Sequence, residues 1–315
     1  MNILITGASG NLGSQVARHL LPGHDRLYLA VHKSVLSSDL VEHPKVSVRS
    51  IDLALPETLP QACAGIDCIV HLAGVLFAPL PERFLPRTNV GYVRDLVKAA
   101  KSAGVRKFVL VSFPHVEGET TPASPATGRL DANPNVVHFR TRLEAERGLI
   151  GATKDGSMTA VVFRAGIVYG KGIKLIEGAR WMLRHHLLAV WREPTWVHLI
   201  ALPDFLSALQ AAIELDGACG IYQACDDCPI KLQDFLDRLA AHYDCQKPRR
   251  LPRWMFRLAG VSCEMASLLF RVPALLNRDI MKAGMTSCVA DTSRMKRELL
   301  PALAYPTIEQ GLKLL

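Results

Sequence analysis

The chain opens on a segment that leaves little choice of fold. Asn2-Ile3-Leu4-Ile5-Thr6 is a short apolar run with β-branched residues, and it reads as a buried parallel strand. Gly7-Ala8-Ser9-Gly10-Asn11-Leu12-Gly13 follows without a spacer, and Ser14 to Leu21 then reads as a helix with Val16, Ala17 and Leu20 on one face. A strand, a glycine turn and a helix in that order form a cradle for a dinucleotide pyrophosphate. Gly7 permits the tight turn. Gly10 lets the backbone approach the phosphates, where a Cβ would collide with them, and Gly13 lets helix and strand pack closely. The helix start offers free N–H groups and a positive dipole end to the anion. The spacing is GxxGxxG, not GxGxxG. The expected contacts in this turn are Gly7, Ser9, Gly10, Asn11, Leu12 and Gly13.

The second strand, Leu27-Tyr28-Leu29-Ala30-Val31, ends in His32-Lys33-Ser34. An acidic residue at this strand end holds a ribose 2′-hydroxyl, whereas a basic one accommodates a 2′-phosphate. With no carboxylate there, Lys33 and His32 favour NADP(H). The alternative is that Lys33 is a solvated loop lysine and the cofactor is NAD. Further strands follow at Val46 to Ile51, Cys68 to Leu72, Gly104 to Ser112 with its lead-in, and Phe163 to Gly170. This alternation predicts an α/β fold, a doubly wound parallel Rossmann sheet with a smaller, mostly helical C-terminal lobe. Residues 1–170 plus 201–224 are assigned to the nucleotide-binding part. Residues 171–200 plus 225–315 form the substrate or partner lobe, with no Gly/Ser linker between the two.

With 315 residues and 49% hydrophobic content, the chain can bury such a core. Its net charge of +8 favours anionic ligands. The cations are scattered apart from Lys247, Arg249, Arg250, Arg253 and Arg257, which argues against a nucleic-acid face. No leader pattern and no run of 18 apolar residues is seen, and the 8 cysteines read as reduced thiols. A cytoplasmic location is expected, with association at a membrane surface as the alternative.

Taken jointly, several motifs resemble the extended or atypical short-chain dehydrogenase/reductase family, of the epimerase/dehydratase kind. They are Thr6 to Gly13, Asp52-Leu53, His71-Leu72-Ala73-Gly74, Asn89-Val90, the run 104–112, Arg164 to Gly170, and a closing segment at 291–299 and 305–312. The resemblance implies that Asp52 and Leu53 contact the adenine, that Ala73 and Gly74 line the cleft, and that Asn89 contributes to the cofactor site. It gives Asp67 a structural role. It also implies a homodimer through two helices near 85–103 and 138–152.

The chain departs from this family where the chemistry would lie. The family uses a Ser or Thr after the fifth strand and a Tyr-x-x-x-Lys helix, in which Lys holds the nicotinamide ribose and lowers the phenol pKa. Here the Tyr position is His138, the Lys position is Arg142, and Phe113 stands where the hydroxyl belongs, with Ser112 one residue earlier. One reading makes His138 the proton donor, assisted by Arg142, in an oxidoreductase acting on a small hydrophobic carbonyl or alcohol. A second makes the chain a catalytically silent NADP(H)-binding regulator or assembly protein with a protein partner. A third, a sugar-nucleotide epimerase or dehydratase, needs the missing Tyr. Tyr243 to Lys247 repeats the spacing by chance in the wrong lobe, and Tyr169 is expected to pack.

The lobe is rich in apolar side chains: Trp181, Met182, Trp191, Trp196, Trp254, Met255, Phe256, Leu268, Leu269 and Phe270. They suit an ordinary core, a hydrophobic substrate pocket, or peripheral membrane contact. Cys225 and Cys228 form a lone CxxC, and the adjacent His185 and His186 diverge, so no metal site is expected.

Overall fold

The computed structural model describes residues 1–24, 26–74, 80–270 and 277–315, with the side chains of 267–270 excluded. The sequence-based assignments at Leu268, Leu269 and Phe270 therefore lie outside the described side chains.

Seven parallel strands form the central sheet. In chain order they are β1 (Asn2–Thr6), β2 (Arg26–Val31), β3 (Val46–Ser50), β4 (Cys68–His71), β5 (Lys107–Ser112), β6 (Thr159–Ala165) and a last strand, Gly220–Ala224. Across the sheet the order runs from the last strand through β6, β5, β4, β1 and β2 to β3, so the direction of winding reverses between β1 and β4. Such a switch point opens a crevice at the carboxyl ends of the strands, where a ligand fits. Both faces are covered, which is why β1 reads as a continuous apolar run. Ile3 and Ile5 join the core under α1 (Asn11–Leu20) and the helix Leu202–Glu214. Leu4 joins the opposite core with Val93, Leu96 and Val97 of the helix Tyr92–Ser102.

Three elements differ from the sequence-based reading. The helix after the glycine turn begins at Asn11 rather than Ser14, so Leu12 and Gly13 lie in its first turn. The helix expected near 85–103 opens with a π-helical turn, Pro86–Gly91, and its regular part begins at Tyr92. The sixth strand breaks at Gly166, where a Cβ would stand 2.5 Å from the His198 carbonyl oxygen. Ile167–Tyr169 then leaves the sheet and pairs with Leu199–Ala201.

Two further small pairings join residues 171–200 to the C-terminal part: Ala189–Trp191 with Arg249–Leu251, and Trp196–Val197 with Ile230–Lys231. Tyr169 packs as expected. It is fully buried, and a Cβ on Gly311 would collide with its ring and hydroxyl. Tyr243 ends the helix Leu232–His242 under the Arg180 guanidinium, while Lys247 pairs with Asp237. Asp67 ties the amino-terminal ends of the central strands by accepting from the Asn2 N–H and from Arg106. Among the described residues no helix is long and apolar enough to cross a membrane.

Candidate functional site

The glycine turn is forced by its surroundings. Gly7 has φ +77°, and a Cβ on it would stand 2.7 Å from the Ala73 backbone nitrogen. A Cβ on Gly13 would stand 2.1 Å from the Gly7 carbonyl oxygen, so helix and strand approach as closely as the motif demands. The Gly10 N–H donates to the Gly7 carbonyl at 2.9 Å and closes the turn. No side chain caps α1, and its first turn holds no acid, so its positive end faces the crevice unopposed. The Asn11 side chain is engaged elsewhere. Its amide donates to the Gly172 carbonyl, and its oxygen accepts from the Lys174 N–H. It clamps the lobe to the turn and leaves its backbone at the helix start.

Beside the turn lies a cavity of about 450 Å³ at the ends of β1, β2, β3 and β4. Seven residues expected from the sequence line it: Gly7, Ser9, His32, Lys33, Asp52, Leu53 and Ala73. Ala30, Ile51 and Tyr92 are also part of its wall. His32 and Asp52 face each other, with Nε2 3.2 Å from Oδ2, so the histidine assigned to a phosphate already has an anionic neighbour. Lys33 is exposed and has no ion pair among the described residues.

The other half of the crevice lies at the ends of β4 and β5 and is made of side chains on the helix α2 (Val137–Ala152). The N–H groups of Val137 and His138 donate to the two carboxylate oxygens of Asp279, at 2.9 and 3.2 Å, so a residue of the C-terminal lobe caps this helix. The capped turn carries His138, whose ring stacks on Phe113 at 5.1 Å and 11°. His115 and Phe139 extend the aromatic wall. His138 Nδ1 is buried and has no hydrogen-bond partner among the described residues. Burial, helped by Arg142 and His115, brings its imidazole down to about 4. Burial likewise takes His115 to about 4. His71, whose Nδ1 lies 2.8 Å from the Thr6 hydroxyl, is brought to about 3 by burial and then Arg142. All three rings are therefore neutral at neutral pH.

One turn beyond His138 stands Arg142. It is 7% exposed, and its Nε and Nη1 have no hydrogen-bond partner among the described residues. Its Nη2 would lie 3.3 Å from a Cβ placed on Gly74. A buried guanidinium without partners is costly, and it fits a site whose missing partner is a ligand rich in hydroxyl and phosphate oxygens. The residues present thus suit a dinucleotide. The glycine turn would take the pyrophosphate, the cavity the adenosine, and Arg142 the hydroxyls of the second ribose. Asn89 is buried beside it. Its amide donates to Thr141, and its Oδ1 lacks a partner among the described residues.

Ser112 is turned to other work. Its hydroxyl donates to Glu146 at 2.5 Å within a buried ion network. Arg164, fully buried, bridges Glu146 and Glu117, and Glu117 also accepts from the backbone of Gly128 and Arg129 and from Gln223. Burial raises the Glu146 carboxyl, while Arg164, Ser112 and the nearby Arg142 charge pull it back down. The network anchors α2 to the sheet, with the Ser112 hydroxyl bonded inside it.

The sequence gives no signal for Asp279 or His115, and His71 and Arg164 enter only as members of matched motifs, without a role. The network with Glu117 and Glu146 leaves one further trace, a Glu four residues after Arg142 on the buried face of a helix. Asp279 lies too far along the chain from His138 for any local pattern to link them.

The NAD dependent epimerase/dehydratase family model matches residues 3–192. The 3 beta-hydroxysteroid dehydrogenase/Delta 5→4-isomerase of Monkeypox virus is 21% identical over 316 residues, covering 90% of this chain and 88% of that protein. The UDP-glucose 4-epimerase of Vibrio cholerae is 28% identical over 182 residues, 55% of this chain and 53% of that one. Among solved structures, MoeE5 in complex with UDP-glucose and NAD superposes with a TM-score of 0.79 at 18% identity, over 100% of this chain and 97% of that one. DesIV, the dTDP-glucose 4,6-dehydratase of Streptomyces venezuelae with NAD and TYD bound, gives 0.79 at 17% identity, over 100% and 95%. At these identities the structures establish a shared fold.

Proposed function

Because this chain belongs to the NAD dependent epimerase/dehydratase family, we propose that it binds a nicotinamide dinucleotide, NADP(H) by preference, and holds it without the family's proton relay, as a regulatory or assembly protein. The observation that carries this reading is the pairing of an unpartnered buried cation, Arg142, with the replacement of both relay hydroxyls by Phe113 and His138. When bound, the cofactor supplies a hydride donor or acceptor. Reducing a carbonyl also needs a proton at the oxygen. An imidazole held near 4 has no proton to give as imidazolium at neutral pH, and Ser112 is committed to Glu146. Lys33 carries the preference for the 2′-phosphate, since His32 is already beside Asp52.

The test is to mix the protein with NADPH and a panel of hydrophobic aldehydes, ketones and sterols, and to follow the reduced-nicotinamide absorbance. The expected result is binding without turnover. Turnover that disappears in His138→Ala, with NADPH binding retained, would overturn the silent reading. It would establish the second one, an oxidoreductase acting on a small hydrophobic carbonyl or alcohol. That alternative is favoured by one observation, the buried and unpartnered Nδ1 of His138 beside Arg142. A sugar-nucleotide epimerase or dehydratase is the weaker case, because its acid/base Tyr has no counterpart here.

The same reading needs a docking surface. The helix Arg253–Phe270 turns Trp254, Met255, Leu258 and Met265 outward together with Arg257, a combination suited to an anionic membrane surface. Co-sedimentation with vesicles containing anionic lipid, lost in a Trp254→Glu/Leu258→Glu variant, is the expected outcome. Absence of sedimentation would rule this surface out. The homodimer is proposed to form through α2 and the segment 85–103, and analytical ultracentrifugation tests it.

A further inference from the structure

The crevice has a fixed polarity. The pyrophosphate cradle is at the start of α1, and the cavity of about 450 Å³ lies on the β2 and β3 side. The other nucleotide must therefore extend over the ends of β4 and β5. Gly74, just past β4, is where Arg142 comes closest to that floor.

The charges facing Arg142 can be named from every neighbouring element. On α2, Glu146 lies one turn away, but Arg164 and Ser112 hold its oxygens. Asp279 is bonded to the N–H groups that open the same helix. From β4 comes His71, from the segment after β5 His115, and from α2 His138. All three are uncharged at neutral pH, and the field of Arg142 helps keep His71 and His138 so. No carboxylate hydrogen-bonds the Arg142 guanidinium among the described residues. The second half of the crevice thus presents a buried positive charge that no carboxylate hydrogen-bonds among the described residues, with Glu146 one turn away acting on it only through its field.

Oxidised and reduced nicotinamide dinucleotides share their phosphates, riboses and adenine. They differ at the ring, which is cationic when oxidised and neutral when reduced. Contacts to the shared parts cannot tell the two forms apart, whereas a nearby fixed cation in a desolvated site can.

We infer that Arg142 makes this crevice select the reduced cofactor over the oxidised one, so that occupancy of the protein follows the redox state of the nicotinamide pool. This rests on the binding reading above and says what the binding would report. It needs no chemistry on the ring, which agrees with the lost relay. It also assigns a reason for arginine at this position: its charge persists in a buried site where a lysine can lose its proton.

The test is calorimetric titration of the full chain with NADPH, NADP+, NADH and NAD+ at one pH and ionic strength. Within each pair the reduced form should bind at least about tenfold tighter, a ratio worth 1.4 kcal/mol. The ratio should collapse in Arg142→Gln and persist in Arg142→Lys at a pH where the lysine is charged. Arg142→Met serves as a second neutral variant if Arg142→Gln does not fold. Equal affinities in the unaltered protein, tighter binding of the oxidised form, or a ratio that survives in a neutral variant would each overturn the inference and leave the binding reading standing. Binding of none of the four would overturn both.

Discussion

The two halves of the crevice are built in different ways. The pyrophosphate cradle is made by backbone: a glycine turn whose three glycines touch Ala73 and one another, and a helix whose N-cap residue, Gly10, has no side chain. The other half is made by side chains of α2 and of the segment after β5. There Phe113, His138 and Arg142 stand at the positions that carry hydroxyl, phenol and ammonium in the relatives the sequence resembles. A backbone-built cradle tolerates little change at its tightest point, because a Cβ at Gly13 meets the Gly7 carbonyl. A side-chain-built site can be rewritten one residue at a time over the same scaffold. On the proposed reading, binding and chemistry are therefore separable, and conservation of fold carries no promise of conserved reaction.

The glycine turn is most vulnerable at Gly13. Gly13→Ala places a Cβ 2.1 Å from the Gly7 carbonyl oxygen, and helix and strand must separate. The expected cost is about 3 kcal/mol of stability, with cofactor binding lost. Thermal unfolding and a titration of the same sample check both.

Arg142→Met should separate the halves instead of breaking them. Removing an unpartnered buried charge should raise the stability of the ligand-free protein by about 1–2 kcal/mol, as groups placed for a ligand rather than for the fold do. Cofactor affinity should fall by about 10- to 100-fold, the worth of charge-assisted hydrogen bonds. A melting curve without ligand and a titration with it must move in opposite directions. If both fall, Arg142 is a structural residue.

Lys33→Glu acts at the adenosine end alone. It should cut NADPH affinity about five- to tenfold, the scale of one exposed charge pair with a phosphate, and spare NADH. If NADH and NADPH are affected equally, the lysine does not read the 2′-phosphate.

The smallest effect is on pH dependence and belongs to the aromatic wall. His138 and His115 are held near 4, and His71 near 3, against an ordinary value of 6.5. The unfolded chain therefore takes up protons between 6.5 and about 4 that the folded chain does not. By linkage, stability rises with pH across that window and is lost as pH falls through it. His138→Phe should make melting temperature less dependent on pH there. An unchanged slope would mean that His138 is not buried as a neutral ring.

Sequence alone showed the fold and the first half of the site because both are written in local patterns. The strand-turn-helix of residues 2–20 has a period and a glycine spacing. The break at Gly166 was not legible, because its cause is a carbonyl of His198 in another segment. Residues His138 and Arg142 were found as departures from a known spacing, yet their state was invisible. Whether an imidazole is neutral, or a guanidinium unpaired, depends on neighbours such as His71, His115 and Asp279 that only the folded chain assembles.

The most direct test of the account is a calorimetric titration of the purified protein with NADPH, beside the same titration of Gly13→Ala. The account predicts saturable binding of one NADPH per chain, absent in the variant. If NADPH produces no binding heat in the unaltered protein, and neither do NADP+, NADH and NAD+, the crevice does not hold a nicotinamide dinucleotide and the account is contradicted.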